Sequence, residues 1–339
     1  MFIVLLVVER FSRIALKVLS QISDSESRFT NWKASVYRST WLDPDLLHMK
    51  SDLHPLLILF SAFLLLSSPA PAQSGFVQID SALIYYETEG NGPPVVLVHG
   101  RTLNLRVWDD QVPAFRQSFK VICYDRRGFG RSTGLPNRYT DPSDLAALLD
   151  KLGVAKAHLV GMSQGGSVAT SFAIEYPERV LSLVLQGSSL EGFNLPWSGP
   201  DRVSREEFKK VIQEKGIVAF RKEWINHPLM EIPPEKSAAQ DRLRTILESY
   251  SGADLLNPAP PPVGRAPDVL RLNEIKAPTL ILIGAGEVPY LRIVADALSY
   301  AIPGAKKAVI PGGGHLINMI EPESYNQVVM NFLKSVETK

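Results

Sequence analysis

The chain has 339 residues, 45 % of them hydrophobic, and its 36 basic and 35 acidic residues leave a net charge of +1. This is enough apolar sequence to bury the core of one large domain. With no basic run, the composition predicts no nucleic-acid partner. The single cysteine, Cys123, excludes an intramolecular disulfide. It lies in an apolar run and is predicted to be a buried strand residue instead of a catalytic thiol.

The N-terminal region differs in character from the rest. Residues 55–66 (PLLILFSAFLLL) form a dense apolar run but fall short of the ~20 residues that span a bilayer. Ala70-Pro71-Ala72 follows as an A-x-A cleavage pattern. We therefore expect a signal peptide at 49–72 starting at Met49, with residues 1–48 a mis-assigned or disordered extension, and export to the periplasm or medium. The alternative is a membrane anchor made by the same segment; a stable span is not expected.

The next elements in chain order indicate an α/β domain over residues 73–339. Residues 76–79 and 83–87 predict an antiparallel hairpin at a sheet edge. Apolar runs without alternation indicate strands buried on both faces, and they lie at 95–98, 121–124, 158–160, 181–185 and 280–283. Leu145, Leu148, Leu149 and Leu152 share one helix face. The pattern predicts a mostly parallel central sheet flanked by helices.

One stretch, residues 192 to about 270, interrupts the alternation of strands and helices. Residues 202–223 and 238–250 have helical patterns, and the proline-rich residues 258–267 cannot pair as a central strand. We interpret this stretch as a helical cap inserted into the domain.

The strongest chemical signal is Gly161-Met162-Ser163-Gln164-Gly165, a G-x-S-x-G pattern between a strand and a helix. The serine of such an elbow occupies a strained turn, which requires small neighbours and exposes the hydroxyl. A second match, Gly130-Arg131-Ser132-Thr133-Gly134, lies in a polar loop with no helix behind it. Context therefore favours Ser163 as the nucleophile and Ser132 as a loop residue.

A serine hydroxyl needs a base to take its proton. His315 follows Pro311-Gly312-Gly313-Gly314 directly after a strand-like run, and it comes after the serine, as the order Ser, acid, His requires. His99 is expected to be structural and His158 a surface or packing residue. His227 lies in the cap, where it contacts either substrate or solvent.

The acid is expected between Ser163 and His315, after a strand. Residues 277–284 predict that strand, and Glu287 follows it closely. A carboxylate there would hold the imidazole tautomer and stabilise the imidazolium. Glu191 and Asp296 are the alternatives, because a triad is defined by geometry and not by sequence position.

Together these motifs resemble the α/β-hydrolase superfamily from about residue 76 to residue 333. The resemblance rests on the elbow at Ser163 together with Val98-His99-Gly100, residues 125–132 (DRRGFGRS), 176–180 (YPERV), 278–284 and Gly314-His315. The chain is most similar to the small esterase, enol-lactonase and perhydrolase branch, and the acid position usually holds aspartate where this chain has Glu287. The resemblance implies ester or lactone hydrolysis through an acyl-serine, a small-molecule substrate, no cofactor and no metal. Relatives that act as haloalkane dehalogenases or epoxide hydrolases have aspartate at the elbow, so Ser163 argues against those activities.

The resemblance also implies an oxyanion hole and a substrate pocket. Backbone N–H groups of Arg101 and Gln164 are the expected oxyanion donors. The Arg101 side chain is either a cation at the pocket mouth or a solvated group. Aromatic residues of the cap region and after the late strand are either pocket lining or core; these are Phe193, Trp197, Trp224 and Tyr290.

Two other functions fit the same residues. A C–C bond hydrolase would use the same triad on a vinylogous diketone. A ligand-binding receptor would keep the fold with little turnover, since fold does not fix function. The oligomeric state is not indicated by any of these patterns.

Overall fold

The computed structural model describes residues 72–193 and 205–338. The predicted extension and almost all of the predicted signal peptide lie outside these residues, as does Trp197. The described strands are β1 (Gln73–Ile79), β2 (Ala82–Glu89), β3 (Pro94–Val98), β4 (Lys120–Tyr124), β5 (Ala157–Met162), β6 (Val180–Gln186), β7 (Thr279–Gly284) and β8 (Lys306–Ile310).

These strands form one sheet of order β1-β2-β4-β3-β5-β6-β7-β8. The β1–β2 and β2–β4 pairs are antiparallel, and every later pair in this order is parallel. The chain passes from β3 to β4 on one side and then to β5 on the other side of β3. The carboxyl ends of β3 and β5 therefore flank a topological switch point, where open α/β sheets bind ligands.

Helices cover the sheet and fill the connections between strands. They are α1 (Val112–Phe115), α2 (Asp141–Lys151), α3 (Gln164–Glu175), α4 (Arg205–Trp224), α5 (Ser237–Glu248), α6 (Ala253–Leu256), α7 (Pro289–Ala301), α8 (Ile317–Ile320) and α9 (Pro322–Glu337). Short 3₁₀ helices occupy Leu105–Trp108, Pro177–Arg179, Pro228–Met230, Asp268–Leu270 and Leu272–Glu274. No helix in the described ranges is both long and apolar enough to cross a membrane.

The predicted fold class is confirmed: a mostly parallel sheet carries helices and a helical insertion between β6 and β7. Every residue of β5 and β7 is buried, as their continuous apolar sequences predict. Cys123 is buried in β4. Within the insertion, α4 is kinked at Gly216, whose φ of 82° is not helical, so the pattern at 202–223 does not form one straight helix. The outer limits of the cap stay a prediction.

Candidate active site

Ser163 lies in the tight turn between β5 and α3. Its backbone has φ 52° and ψ −122°, a region that a non-glycine residue occupies only when its surroundings enforce it. The Ser163 N–H donates to the carbonyl of Gln186 at 2.9 Å, and its carbonyl accepts from the N–H groups of Gly166 and Ser189, both at 3.0 Å. These bonds hold the strained turn and leave the side chain at a cavity.

The glycines around Ser163 allow close approach of neighbouring backbone. A Cβ at Gly165 would meet the carbonyl oxygens of Val98 and His99, and one at Gly161 would meet the carbonyl of Gly165. A Cβ at Gly100 would lie 3.0 Å from the Ser163 Cβ. The elbow is therefore packed against the end of β3 at distances that side chains would prevent.

His315 and Glu287 form a buried pair on the loops after β8 and β7. His315 Nδ1 lies 3.0 Å from Glu287 Oε2, and both side chains are about 1 % exposed. The other carboxylate oxygen of Glu287 accepts the N–H of Val288 at 3.0 Å. With Nδ1–H donating to the carboxylate, Nε2 of His315 has a lone pair available to accept a proton.

The loop of His315 is held by polar contacts from three directions. The Gln186 side chain donates to the carbonyl of His315 at 3.1 Å and to the Asn318 Oδ1 at 2.9 Å. Asn318 in turn donates to the carbonyl of Val107 at 2.8 Å. Gly286 also donates to the carbonyl of Gly313 at 2.8 Å, which ties the glutamate loop to the histidine loop.

The two alternative acids have other partners. Glu191 Oε2 accepts the N–H of Asp268 at 2.8 Å, and Asp296 on α7 pairs with Lys307. Of the three carboxylates considered, Glu287 is the one within hydrogen-bonding distance of His315.

The other three histidines of the described residues have partners away from Ser163. His99 Nε2 accepts the N–H of Arg126 at 3.0 Å, and burial followed by the charge of Arg126 lowers the His99 pKa to about 3. His158 is fully buried between Ser182 and Glu337, so the surface alternative for it was wrong and the packing alternative was right. His227 stacks on Trp224 with ring centroids 4.6 Å apart.

The residues predicted to supply the oxyanion donors, Arg101 and Gln164, line the same cavity as Ser163. Gln164 is the first residue of α3, so its N–H has no partner within the helix. Its side-chain oxygen accepts from both terminal nitrogens of Arg126 at 3.0 Å, and Arg126 pairs with Asp141 at 2.6 Å. Arg101 follows Gly100 at the end of β3. Its side chain is half-buried with Nε 3.2 Å from Asp254, so the interpretation as a solvated group was wrong.

A cavity of about 450 Å³ opens over Ser163. Ser163, Gln164 and His315 line it, as do Phe193, Trp224 and Tyr290 among the predicted pocket residues. Glu287 is not among the lining residues, but it contacts His315, which is.

Ser132 has a structural environment. It is buried, its Oγ donates to the carbonyl of Asp125 at 2.6 Å, and the same oxygen accepts the N–H of Tyr85 at 2.8 Å. The Ser132 hydroxyl thus already donates one hydrogen bond and accepts another, as a structural residue does.

Sequence reasoning missed two features of the site. Arg138 and Arg205 line the cavity, although they are far apart in sequence and lie in no motif. Trp224 donates through Nε1 to the Oγ1 of Thr102 at 2.9 Å, which joins the insertion to the loop after β3. Thr102 has φ 65°, and no sequence pattern marked it.

Comparison with known proteins gives a family match over most of the chain. A family model described as alpha/beta hydrolase fold matches residues 93–322. The chain is 31 % identical over 263 residues to a putative non-heme chloroperoxidase of Synechocystis, covering 74 % of this chain and 95 % of that one.

Two further proteins to which the chain is similar are named as a hydrolase and an esterase. A 2-hydroxy-6-oxononadienedioate/2-hydroxy-6-oxononatrienedioate hydrolase of Paraburkholderia phymatum is 30 % identical, with 74 % of this chain and 90 % of that one covered. The malate-bound structure of a thermophilic esterase from Thermogutta terrifontis superposes with a TM-score of 0.63 at 26 % identity, covering 78 % of this chain and 99 % of that one.

Proposed function

The chain belongs to the α/β-hydrolase fold family, and from this premise we propose that it is a serine hydrolase of small or medium carboxylic esters or lactones. Ser163 is the nucleophile, His315 the base and Glu287 the acid. The observation that carries the proposal is the buried His315–Glu287 pair at 3.0 Å, whose imidazole lines the same cavity as the strained Ser163. A strained serine, an oriented imidazole and a buried carboxylate are the groups that acyl transfer to serine requires.

The mechanism follows from these positions. His315 Nε2 takes the proton of the Ser163 hydroxyl as Oγ attacks the carbonyl carbon, and the N–H groups of Arg101 and Gln164 stabilise the resulting oxyanion. His315 then protonates the departing alcohol, which leaves an acyl-serine. A water molecule, deprotonated by His315, attacks this ester and releases the carboxylic acid with Ser163 restored.

Glu287 serves by orientation and charge. Its carboxylate holds Nδ1–H and stabilises the imidazolium that forms in each half of the reaction. Arg126 is a positioning residue, because it holds the side chain of Gln164 and is itself fixed by the buried Asp141.

The first experiment is labelling of the purified chain with a fluorophosphonate probe, followed by intact-mass measurement. We expect one added probe on wild type and on Ser132→Ala, and none on Ser163→Ala. Ser132→Ala is the matched control, because Ser132 lies in the second G-x-S-x-G match. Labelling of Ser163→Ala, or absence of labelling in folded wild type, would contradict the proposal, and the latter result favours the ligand-binding receptor.

A C–C bond hydrolase is the second candidate, and the similarity to the Paraburkholderia phymatum hydrolase supports it. Comparison of kcat/KM for a simple 4-nitrophenyl ester and for a vinylogous diketone ring-cleavage product separates the two. Faster turnover of the diketone would assign the triad to C–C cleavage. In either case Glu287→Ala should lower kcat while Asp296→Ala does not, because only Glu287 of these two contacts His315 and Asp296 is an exposed residue paired with Lys307.

A further inference from the structure

We propose that the cavity over Ser163 selects substrates that carry a carboxylate away from the scissile bond, bound by Arg101, Arg138 and Arg205. The inference rests on the proposed function, because it concerns the same cavity. It names the class of substrate that the hydrolase accepts.

The charged groups that line the cavity are strongly unbalanced. Within residues 72–193 and 205–338, four arginines line it, namely Arg101, Arg138, Arg205 and Arg265, against one carboxylate, Glu191. Glu191 is engaged by the N–H of Asp268. Arg265 is neutralised outside the cavity by Glu175 at 2.6 Å and Asp268 at 2.8 Å. The other three arginines carry the excess positive charge.

Within the described residues, one carboxylate forms an ion pair with any of these three arginines. It is Asp254, whose Oδ2 lies 3.2 Å from Arg101 Nε. In the described part of the chain, no carboxylate lies within 4.0 Å of the Arg138 or Arg205 nitrogens. The guanidinium of Arg138 instead lies 5.1 Å from the centroid of the Tyr139 ring.

The arginines are close enough to disfavour one another's charge. Burial, and then the charges of Arg101 and Arg138, lower the Arg205 pKa to about 10. Like charges in a partly buried site are costly unless an anion compensates them. A bound carboxylate would supply that compensation and convert the repulsion into binding energy.

The geometry suits a carboxylate attached to the reacting molecule. Arg101 directly follows Gly100 at the oxyanion side, Arg138 precedes α2, and Arg205 begins α4 of the insertion. The three side chains come from separate segments and face the cavity that holds Ser163 and His315. Planar guanidinium groups bind carboxylates through paired hydrogen bonds, which a lysine cannot form.

The test compares two substrates that differ only in one charge. The 4-nitrophenyl half-ester of adipic acid carries a terminal carboxylate, and its terminal amide is neutral with nearly the same shape. We expect wild type to show a kcat/KM at least tenfold higher for the half-ester. Arg205→Gln and Arg138→Gln should each reduce this preference about tenfold or more. Arg244→Gln removes an exposed charge of α5 and should leave the preference unchanged.

A second measurement is independent of turnover. Calorimetric binding of adipic acid monoamide to Ser163→Ala should be at least tenfold tighter than binding of adipamide, and Arg205→Gln in that background should abolish the difference. Equal kcat/KM or equal binding of the charged and neutral compounds would overturn the inference, while hydrolysis of the neutral ester would leave the proposed function standing. Selective binding without hydrolysis of any ester would instead overturn the proposed function and support the anion site.

Discussion

At the scale of single residues, the site depends on one glycine as much as on its charged groups. Gly187 follows β6 with φ 46°, and a Cβ there would lie 2.5 Å from Glu287 Oε2 and 2.8 Å from His315 Nδ1. The pair forms its 3.0 Å contact because this position lacks a side chain. The glycine thus provides both a left-handed turn and the space for the acid.

Gly187→Ala should separate the acid from the histidine. We expect kcat/KM for an ester substrate to fall at least ~100-fold, since loss of a correctly held imidazole costs up to ~10⁴-fold in serine hydrolases. Gly153→Ala is the control, because Gly153 also has positive φ, 66°, but a Cβ there meets nothing within 4 Å. Gly153→Ala should lose roughly 1–2 kcal/mol of stability in urea unfolding from its positive φ alone, and Gly187→Ala should lose more, because its Cβ also crowds buried groups. Equal losses of activity would contradict a specific role for Gly187.

At the scale of elements, the insertion and the sheet meet at the loop that follows β3. Trp224 ends α4 and is 3 % exposed, and its N–H reaches Thr102, one residue beyond Arg101. Thr102 holds a left-handed backbone that costs energy for a threonine. A hydrogen bond from the cap therefore helps to hold the loop that supplies an oxyanion donor in the proposed mechanism.

Trp224→Phe should weaken that support while keeping an aromatic ring in place. A net hydrogen bond contributes about 0.5–1.5 kcal/mol, so we expect kcat to fall roughly 2- to 10-fold. Trp108→Phe is the matched control, because Trp108 is fully buried and its indole N–H has no hydrogen-bond partner within the described residues. Urea unfolding should show a loss of stability in both variants, larger by about 0.5–1.5 kcal/mol in Trp224→Phe, and steady-state kcat should fall only in Trp224→Phe. Unchanged kcat in Trp224→Phe would exclude the coupling.

At the scale of the whole molecule, buried polar groups near the carboxyl edge of the sheet link stability to pH. Arg126 pairs with Asp141, and Arg127 pairs with Asp144 at 2.6 Å, at buried or nearly buried positions. His99 lies among them as a neutral group that accepts the N–H of Arg126. Because burial lowers its pKa from 6.5 to about 3, the folded protein resists protonation of His99.

This resistance predicts a loss of stability in acid. Between pH 6.5 and 3 the unfolded chain binds a proton at His99 that the folded chain does not, so the free energy of unfolding falls as pH decreases. From pH 7 to pH 5 this one group should cost about 2 kcal/mol. Urea unfolding of wild type and His99→Gln at both pH values should show a difference of this size in their pH dependence. Identical pH dependence would contradict it.

Most of the fold followed from local sequence. Continuous apolar runs identified the strands from β3 to β7. The apolar run before the G-x-S-x-G pattern and the helical run after it placed Ser163 at a strand–helix junction, a setting that the second match at Ser132 lacks. His315 and Glu287 were singled out by their positions after predicted strands. Their catalytic roles stay predictions, and the structure adds that they contact each other.

Other features depended on contacts that no local pattern encodes. The kink of α4 was missed because residues on both sides of Gly216 have a helical pattern, and nothing in the sequence marks its positive φ of 82°. His158 was not recognised as fully buried, since its partner Glu337 is 179 residues away.

Periodicity and glycine spacing are local properties of the chain, so they were sufficient to predict the succession of strands and helices, the elbow and the candidate nucleophile and base. The packed fold was needed to show which carboxylate contacts His315, which side chains line the cavity, and that Arg101, Arg138 and Arg205 face the same cavity. Those choices depend on distances of a few ångströms between segments far apart in sequence, and these distances are fixed only when the sheet and the insertion pack together.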